Sequence, residues 1–197
     1  PMLKYMGAVA LPLAVQCLGV YQLLLFVFTR LNPLRFLKKF FPVMMFAFTT
    51  ATSNATIPLS IDTLDKKVGV SKKISSFTIP LGATINMDGT SIMQGVAVIF
   101  IAQVYGMDLT PAQLLTVIAT AMIASIGTAG IPSVGLIMLA MVLTSVGLPT
   151  EGIALIMGID RILDMLRTAV NITGDAICTT IVSHQNKELD RNIFNRD

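Results

Sequence analysis

Charge is scarce in this sequence. Only 13% of its 197 residues are Asp, Glu, Lys or Arg, against about 25% in ordinary soluble domains. With 54% hydrophobic residues and a mean hydropathy of +0.76, that scarcity excludes a water-facing globular domain. It points to a membrane protein with room for roughly four to six long apolar segments. Cysteine is nearly absent too. Cys17 and Cys178 both lie in apolar runs, which reads as small buried hydrophobes and excludes a disulfide scaffold or a thiolate metal site. The one histidine, His184, stands at the end of the last apolar run, where a helix C-terminus favours positive charge and where no catalyst is expected. The net charge of +3 does not signal nucleic acid, because the basic residues flank apolar segments and no aromatic-basic stripe exists. There is no signal peptide pattern, and the chain opens at Pro1 directly into an apolar run, as the continuation of a longer polypeptide would.

What charge there is inside apolar sequence is concentrated. Asp160, Asp164, Arg167, Asn171 and Asp175 recur at spacings of four, three, four and four, which places them on one helical face. Each charge at a bilayer centre costs about 2.5–3.5 kcal/mol, so four facing lipid would cost on the order of 10 kcal/mol. They must face protein, an ion or a polar substrate. One ion pair between Asp164 and Arg167 would suffice to hold a helix bundle, and it leaves Asp160, Asn171 and Asp175 unexplained.

Lys and Arg outside the apolar runs form three clusters: Arg30, Arg35, Lys38 and Lys39; Lys66, Lys67, Lys72 and Lys73; Lys187, Arg191 and Arg196. The positive-inside rule assigns all three to the cytoplasm. Residues 1–31 then form a transmembrane helix entering from outside, where Lys4 is the lone basic residue. Residues 32–69 begin and end on the same side and break at the polar run Thr49–Asn54, so a re-entrant hairpin is expected. Residues 70–107 form a transmembrane helix interrupted at Asn86-Met87-Asp88-Gly89-Thr90. Residues 108–148 repeat the hairpin around Gly127–Ser133. Their flanks at Asp108 and Glu151 carry no basic residue, so this hairpin enters from outside. Residues 149–197 form the polar-striped helix and a cytoplasmic tail. The expected fold is an all-α membrane protein with an inverted repeat of hairpin plus transmembrane helix, its broken helices meeting near the bilayer midplane, an architecture known in transporters.

At such a meeting point, helix N-termini attract anions and C-terminal carbonyls attract cations. Backbone carbonyls of 84–88 with the carboxylates of Asp88 and Asp175 suit a hard monovalent cation. Arg167 offers a fork for a carboxylate, and Asp164 can hold an ammonium group. Together these favour a zwitterion with an extra carboxylate. Gly127, Gly130 and Gly135 by themselves fit close helix packing equally well. The patterns Asn54-Ala55-Thr56 and Asn171-Ile172-Thr173 match glycosylation acceptors but lie in apolar sequence. An intramembrane aspartyl protease using Asp88 and Asp175 is a separate reading. It lacks the glycine two residues before each acid, and Arg167 would hold neighbouring acids ionised.

The run Asn86–Thr90, the run Ala124–Pro132, and Asp160–Thr168 followed by Asn171 and Gly174-Asp175 resemble the dicarboxylate/amino acid:cation symporter family, which includes excitatory glutamate transporters and archaeal aspartate transporters. The resemblance covers essentially the whole chain. It implies a transport domain that carries acidic amino acids with Na+ by an elevator movement, in a plasma-membrane homotrimer built through scaffold helices not in this chain, surrounded by lipid, with a cytoplasmic C-terminus. It also implies roles. Asp164 would bind the amino group and Arg167 the side-chain carboxylate, with Thr90. Asn171 and Ser53 would hold the main carboxylate, with Thr168 close by, and Ile131 and Gly135 would close over the ligand. Sodium would be held by Gly82, Asn86, Asn171 and Asp175 at one site, and by Thr84, Ser125, Ile126 and Thr128 at another. Asn86 and Asp88 would contribute to a third. Proton coupling, or a C4-dicarboxylate substrate, remains open within the family. Where relatives place an arginine in the first hairpin tip, or just after the acid matching Asp164, this sequence has Ala51 and Met165. Arg161, one turn earlier, is the residue expected to supply that charge.

Overall fold

The computed structural model describes residues 2–126 and 130–196. Among these the regular structure is helical, apart from one isolated bridge between Val70 and Leu189. The first span runs from α1 (Met2–Val15) through a π-helical turn at Gln16–Val20 into α2 (Tyr21–Thr29). Then come α3 (Pro33–Thr50) and α4 (Ser53–Thr63), joined by Ala51-Thr52, and α5 (Lys72–Ile85) and α6 (Asp88–Val104), joined by Asn86-Met87. Next follow α7 (Pro111–Ser125), α8 (Val134–Ser145), α9 (Ile153–Gln185) and a short α10 (Arg191–Asn195).

Local chemistry explains the starts and stops. Asn32 caps α3 by accepting from the backbone N–H groups of Leu34 and Arg35, with Pro33 in the first turn where its missing donor costs nothing. Thr110 and Gln113 form a capping box at α7, again with a proline next in line. Ala51 ends α3 in the left-handed conformation, φ 51°. A residue with a Cβ pays about 1–2 kcal/mol there, so packing must hold this tip in place.

At 33 residues, α9 is roughly 50 Å long and forms the axis of the molecule. It packs against α1, α2, α3, α5 and α6, and also against α4 and α8. The outer faces carry exposed large apolar side chains such as Leu3, Leu11, Phe77 and Ile137. Two stretches, Met2–Thr29 and Lys72–Val104, are long and apolar enough to cross a membrane. Cys17 is buried as expected, whereas Cys178 is exposed, because it borders an open cleft between α5 and α9.

The three basic clusters converge at one end. Arg191 donates to the Thr29 carbonyl at 2.6 Å, Arg35 to the Asn195 side chain at 3.2 Å, and Lys39 to the Lys67 carbonyl at 3.0 Å. The tail is therefore folded back onto the start of α3 and the end of α4.

Candidate functional site

The polar stripe of α9 is buried along its whole length: Asp160, Asp164, Arg167, Asn171 and Asp175 are all 7% exposed or less. Helical side chains lean toward the N-terminus, so Arg167 reaches back along its own helix. Its Nη1 lies 2.8 Å from Asp160 Oδ1 and its Nη2 2.8 Å from Asp164 Oδ1. The guanidinium is thus shared by two carboxylates, while its Nε is buried with no partner among the described residues. Arg161, by contrast, is exposed; the structure does not bring it to this site, because one residue along a helix turns the side chain about 100° away.

Asp164 has a second partner. Its Oδ2 accepts from the backbone N–H of Ser133 at 2.9 Å, at the start of α8. Ser133 has φ 61°, so each of the two helix-joining segments contains a non-glycine residue in the left-handed region, a form of local strain that tends to gather at working sites. The two segments touch: the Thr52 hydroxyl donates to the Gly130 carbonyl at 2.6 Å. A Cβ at Gly130 would lie 3.0 Å from Asn54 Oδ1 and 3.1 Å from Ser53 Cβ, so the glycine permits this approach.

Ser53, Thr90, Ile131, Gly135, Asp164, Thr168 and Asn171 line one cavity of about 10 Å³, room for about one water. Arg167 stands at its wall: a Cβ at Gly135 would be 3.5 Å from Arg167 Nη2. All the residues expected to bind substrate are therefore gathered in one closed place. A space of this size admits nothing larger than about a water molecule while the two tips are in contact.

A second polar group lies beside it. Asn86 Nδ2 donates to Asp175 Oδ1 at 2.8 Å and to the Asn171 carbonyl at 3.4 Å, and Asn171 Oδ1 accepts from the Gly89 N–H at 2.8 Å. A Cβ at Gly82 would sit 2.5 Å from Asp175 Oδ1, which puts the Gly82 backbone against that carboxylate. Asp88 Oδ2 accepts from Gln16 at 3.0 Å and from the Tyr21 hydroxyl at 2.8 Å. Gln16 and Tyr21 were not foreseen; polar side chains in an otherwise apolar span were the available signal. Among the described residues, no Lys or Arg pairs with Asp88 or Asp175. Two acids compensated only by neutral donors suit a cation held by oxygen ligands. They also accept from different donors, not from each other, which is no shared-proton dyad.

Ser125 and Ile126 border a cavity of about 490 Å³ that Asp88, Ile85 and Gln16 also line. Thr84 lies next to Ile85 but is exposed, and its hydroxyl bonds back to its own helix. Thr128, also expected at this ion site, lies outside the described residues.

The sequence is similar to those of known proteins. The model of the sodium:dicarboxylate symporter family matches residues 1–185. The chain belongs to this family. It is 44% identical over 183 residues to an excitatory amino acid transporter of Caenorhabditis elegans, covering 93% of this chain and 36% of that protein. It is 44% identical to human excitatory amino acid transporter 2 over 187 residues, covering 94% and 33%. With rat excitatory amino acid transporter 1 it shares 44% over 193 residues, covering 98% and 35%. The chain thus spans about a third of the length of these relatives. The family and these relatives are transporters, which removes the protease reading.

Proposed function

We infer that the polypeptide containing this chain is a symporter of acidic amino acids coupled to Na+. The observation that carries this reading is the buried Arg167 held between Asp160 and Asp164 at the wall of a closed cavity. An incoming aspartate or glutamate offers a carboxylate to Arg167, supported by Thr90, and an ammonium group to Asp164. It can therefore replace an internal ion pair with external ones, so that Arg167 and Asp164 each keep an opposite charge in a dry site. Asn171, Ser53 and Thr168 hold the main carboxylate, and backbone at Ile131 and Gly135 closes above it. A C4-dicarboxylate has no ammonium for Asp164, which is why an amino acid is preferred.

Na+ is taken between the Asp175 carboxylate and carbonyls of Gly82, Asn86 and Asn171, and near Asp88. Thr84, Ser125, Ile126 and Thr128 supply another site. The excitatory amino acid transporter relatives and the sodium:dicarboxylate family support this assignment. Residues 32–69 and 108–148 act as re-entrant hairpins of opposite sidedness in an inverted repeat, with the basic end and the C-terminus in the cytoplasm. The unit moves as an elevator against scaffold helices that lie outside this chain and trimerise in the plasma membrane. Coupling to a proton is the second reading, because a carboxylate with only neutral donors, as at Asp175, is neutralised equally well by H+.

The test is uptake of labelled L-aspartate into proteoliposomes holding the intact polypeptide under an inward sodium gradient at equal pH. Uptake that disappears when choline replaces sodium supports the proposal. Uptake that needs external acid instead keeps the substrate and moves Asp175 from ion ligand to proton carrier. No uptake under either gradient overturns the transport reading.

A further inference from the structure

At the basic end of the molecule, a cavity of about 520 Å³ opens between α3, the π-helical turn Leu64–Val68 that ends α4, and the folded-back tail. Five of its lining residues are cationic: Arg35, Lys38, Lys39, Lys67 and Arg196. No Asp or Glu is among the described lining residues. The five come from segments far apart in sequence, and the tail holds them together. Lys39 Nζ donates to the carbonyls of Lys67 and Arg196 at 3.0 and 2.6 Å and lies 5.7 Å over the Phe194 ring. Arg35 donates to the Asn195 side chain. The basic lining is thus built on a fixed floor, while Lys38 and Lys67 stand exposed at its mouth.

The rim is of a different kind. Leu34 lines the cavity at 76% exposure, and Phe41, seven residues on and so on the same face of α3, is 56% exposed. A cationic hollow with an apolar lip fits a ligand that is anionic at one end and greasy at the other. The volume lies within the range of about 300–1,000 Å³ of small-molecule sites, larger than a bare phosphate requires. Basic pockets at the cytoplasmic ends of membrane helices recognise phosphorylated lipid headgroups by this combination.

We propose that this cavity binds a phosphate-bearing anion, supplied as the headgroup of an anionic phospholipid whose acyl chains lie along Leu34 and Phe41. Which leaflet supplies the lipid rests on the proposed sidedness; the binding itself does not. Because the tail forms the floor, occupancy ties the start of α3, the end of α4 and residues 191–196 to the membrane surface.

The experiment uses the intact polypeptide in neutral detergent micelles, where sidedness plays no part, with fluorescent phosphatidylinositol 4-phosphate as the probe and labelled phosphatidylcholine as the comparison. Saturable binding of the anionic lipid alone is expected, weakened about tenfold in Lys38→Gln/Lys67→Gln. Lys38→Arg/Lys67→Arg is expected to bind as the parent does, as is Lys73→Gln/Lys187→Gln, which removes the same charge outside the cavity. Equal loss in that last variant would mean diffuse surface charge and overturn the site. Inorganic phosphate binding as tightly as the lipid, with no gain from the acyl chains, would overturn the lipid source, and absence of saturable binding would overturn the proposal. Because the readout is binding, a failure of the transport reading leaves it intact.

Discussion

Asp160 and Arg167 meet at 2.8 Å although they stand seven residues, about 10 Å of helix, apart on α9. The contact exists because the long arginine side chain runs back toward the helix N-terminus, passing Asp164 on the way and bonding it too. Two acids and one base make the trio net negative and keep the guanidinium compensated when one acid turns to another partner. In the proposed transport cycle Asp164 is the acid that changes partner, and Asp160 the one that stays.

Replacing Arg167 by cysteine should abolish aspartate transport. The substrate carboxylate loses its fork, and Asp160 and Asp164 are left buried without their counter-charge. Removing one partner of a buried pair costs about 3–5 kcal/mol, which corresponds to a fall in apparent affinity of roughly a hundredfold or more. Uptake of labelled aspartate and of serine should be compared in the same vesicles, serine being the substrate that needs no fork. Wild-type aspartate affinity in this variant would refute the role given to Arg167.

Asp160 should matter for stability more than an exposed acid does. Asp160→Ala removes a carboxylate from a guanidinium that is 1% exposed, and Asp164 compensates only in part; a loss of about 3 kcal/mol is expected. Asp160→Asn, which keeps a hydrogen-bond acceptor, should lose less. Asp62→Ala breaks the solvent-exposed pair with Lys66 and should leave the thermal unfolding midpoint in detergent unchanged, since exposed pairs contribute little. Equal midpoints for all three would show that burial of the trio adds nothing.

The α9 stripe was legible because polar residues at helical spacing stand out in apolar sequence, and the break at Asn86-Met87 because poor helix formers interrupt a span. What holds Asp88 was not legible. A π-helical turn carries one extra residue, and Gln16 and Tyr21, five apart across it, reach the same acid, a pairing that helical periodicity at 3.6 residues does not encode. Arg161 misled for a related reason: proximity in sequence to Asp160 suggested a shared role, yet adjacent helical residues face different ways. The tail was read as a plain cytoplasmic extension, and its return onto α3 depends on backbone acceptors, which composition does not reveal. Cys178 was judged by its apolar neighbours and not by the cleft between α5 and α9 that it borders.

Gly174 should be intolerant of even a methyl group. A Cβ there would fall 2.5 Å from the Tyr21 hydroxyl and 2.7 Å from Asn86 Nδ2, the donors to Asp88 and Asp175 respectively. Gly174→Ala should destabilise the fold by about 1–3 kcal/mol, as overpacking does. It should also raise the sodium concentration needed for half-maximal uptake, since both acids lose their settings. Adding Tyr21→Leu removes both atoms that the methyl strikes first, the hydroxyl at 2.5 Å and ring Cζ at 2.6 Å, so the double variant should lose less than the sum of the two single changes. Strict additivity of the two changes would show that the clash is not the cause.

The contact between the tips gives the narrowest prediction. The Thr52 hydroxyl donates to the Gly130 carbonyl at 2.6 Å, and the Asn54 backbone N–H reaches the same carbonyl at a longer 3.5 Å; in the proposed cycle the tips part for a substrate to enter. Thr52→Val keeps the shape and removes the donor, at a net cost of about 0.5–1.5 kcal/mol. The closed state is weakened by that amount and the open state is not, so KM for aspartate should rise roughly two- to tenfold while kcat does not fall. Thr52→Ser, which keeps the hydroxyl, should restore the parent value. Thr49→Val serves as the control: its hydroxyl bonds to the Phe46 carbonyl within its own helix, so neither constant should move. If Thr52→Val transports as the parent does, closure rests on the Asn54 backbone N–H to the same carbonyl and on the Ser133 backbone bond to Asp164, not on the Thr52 hydroxyl.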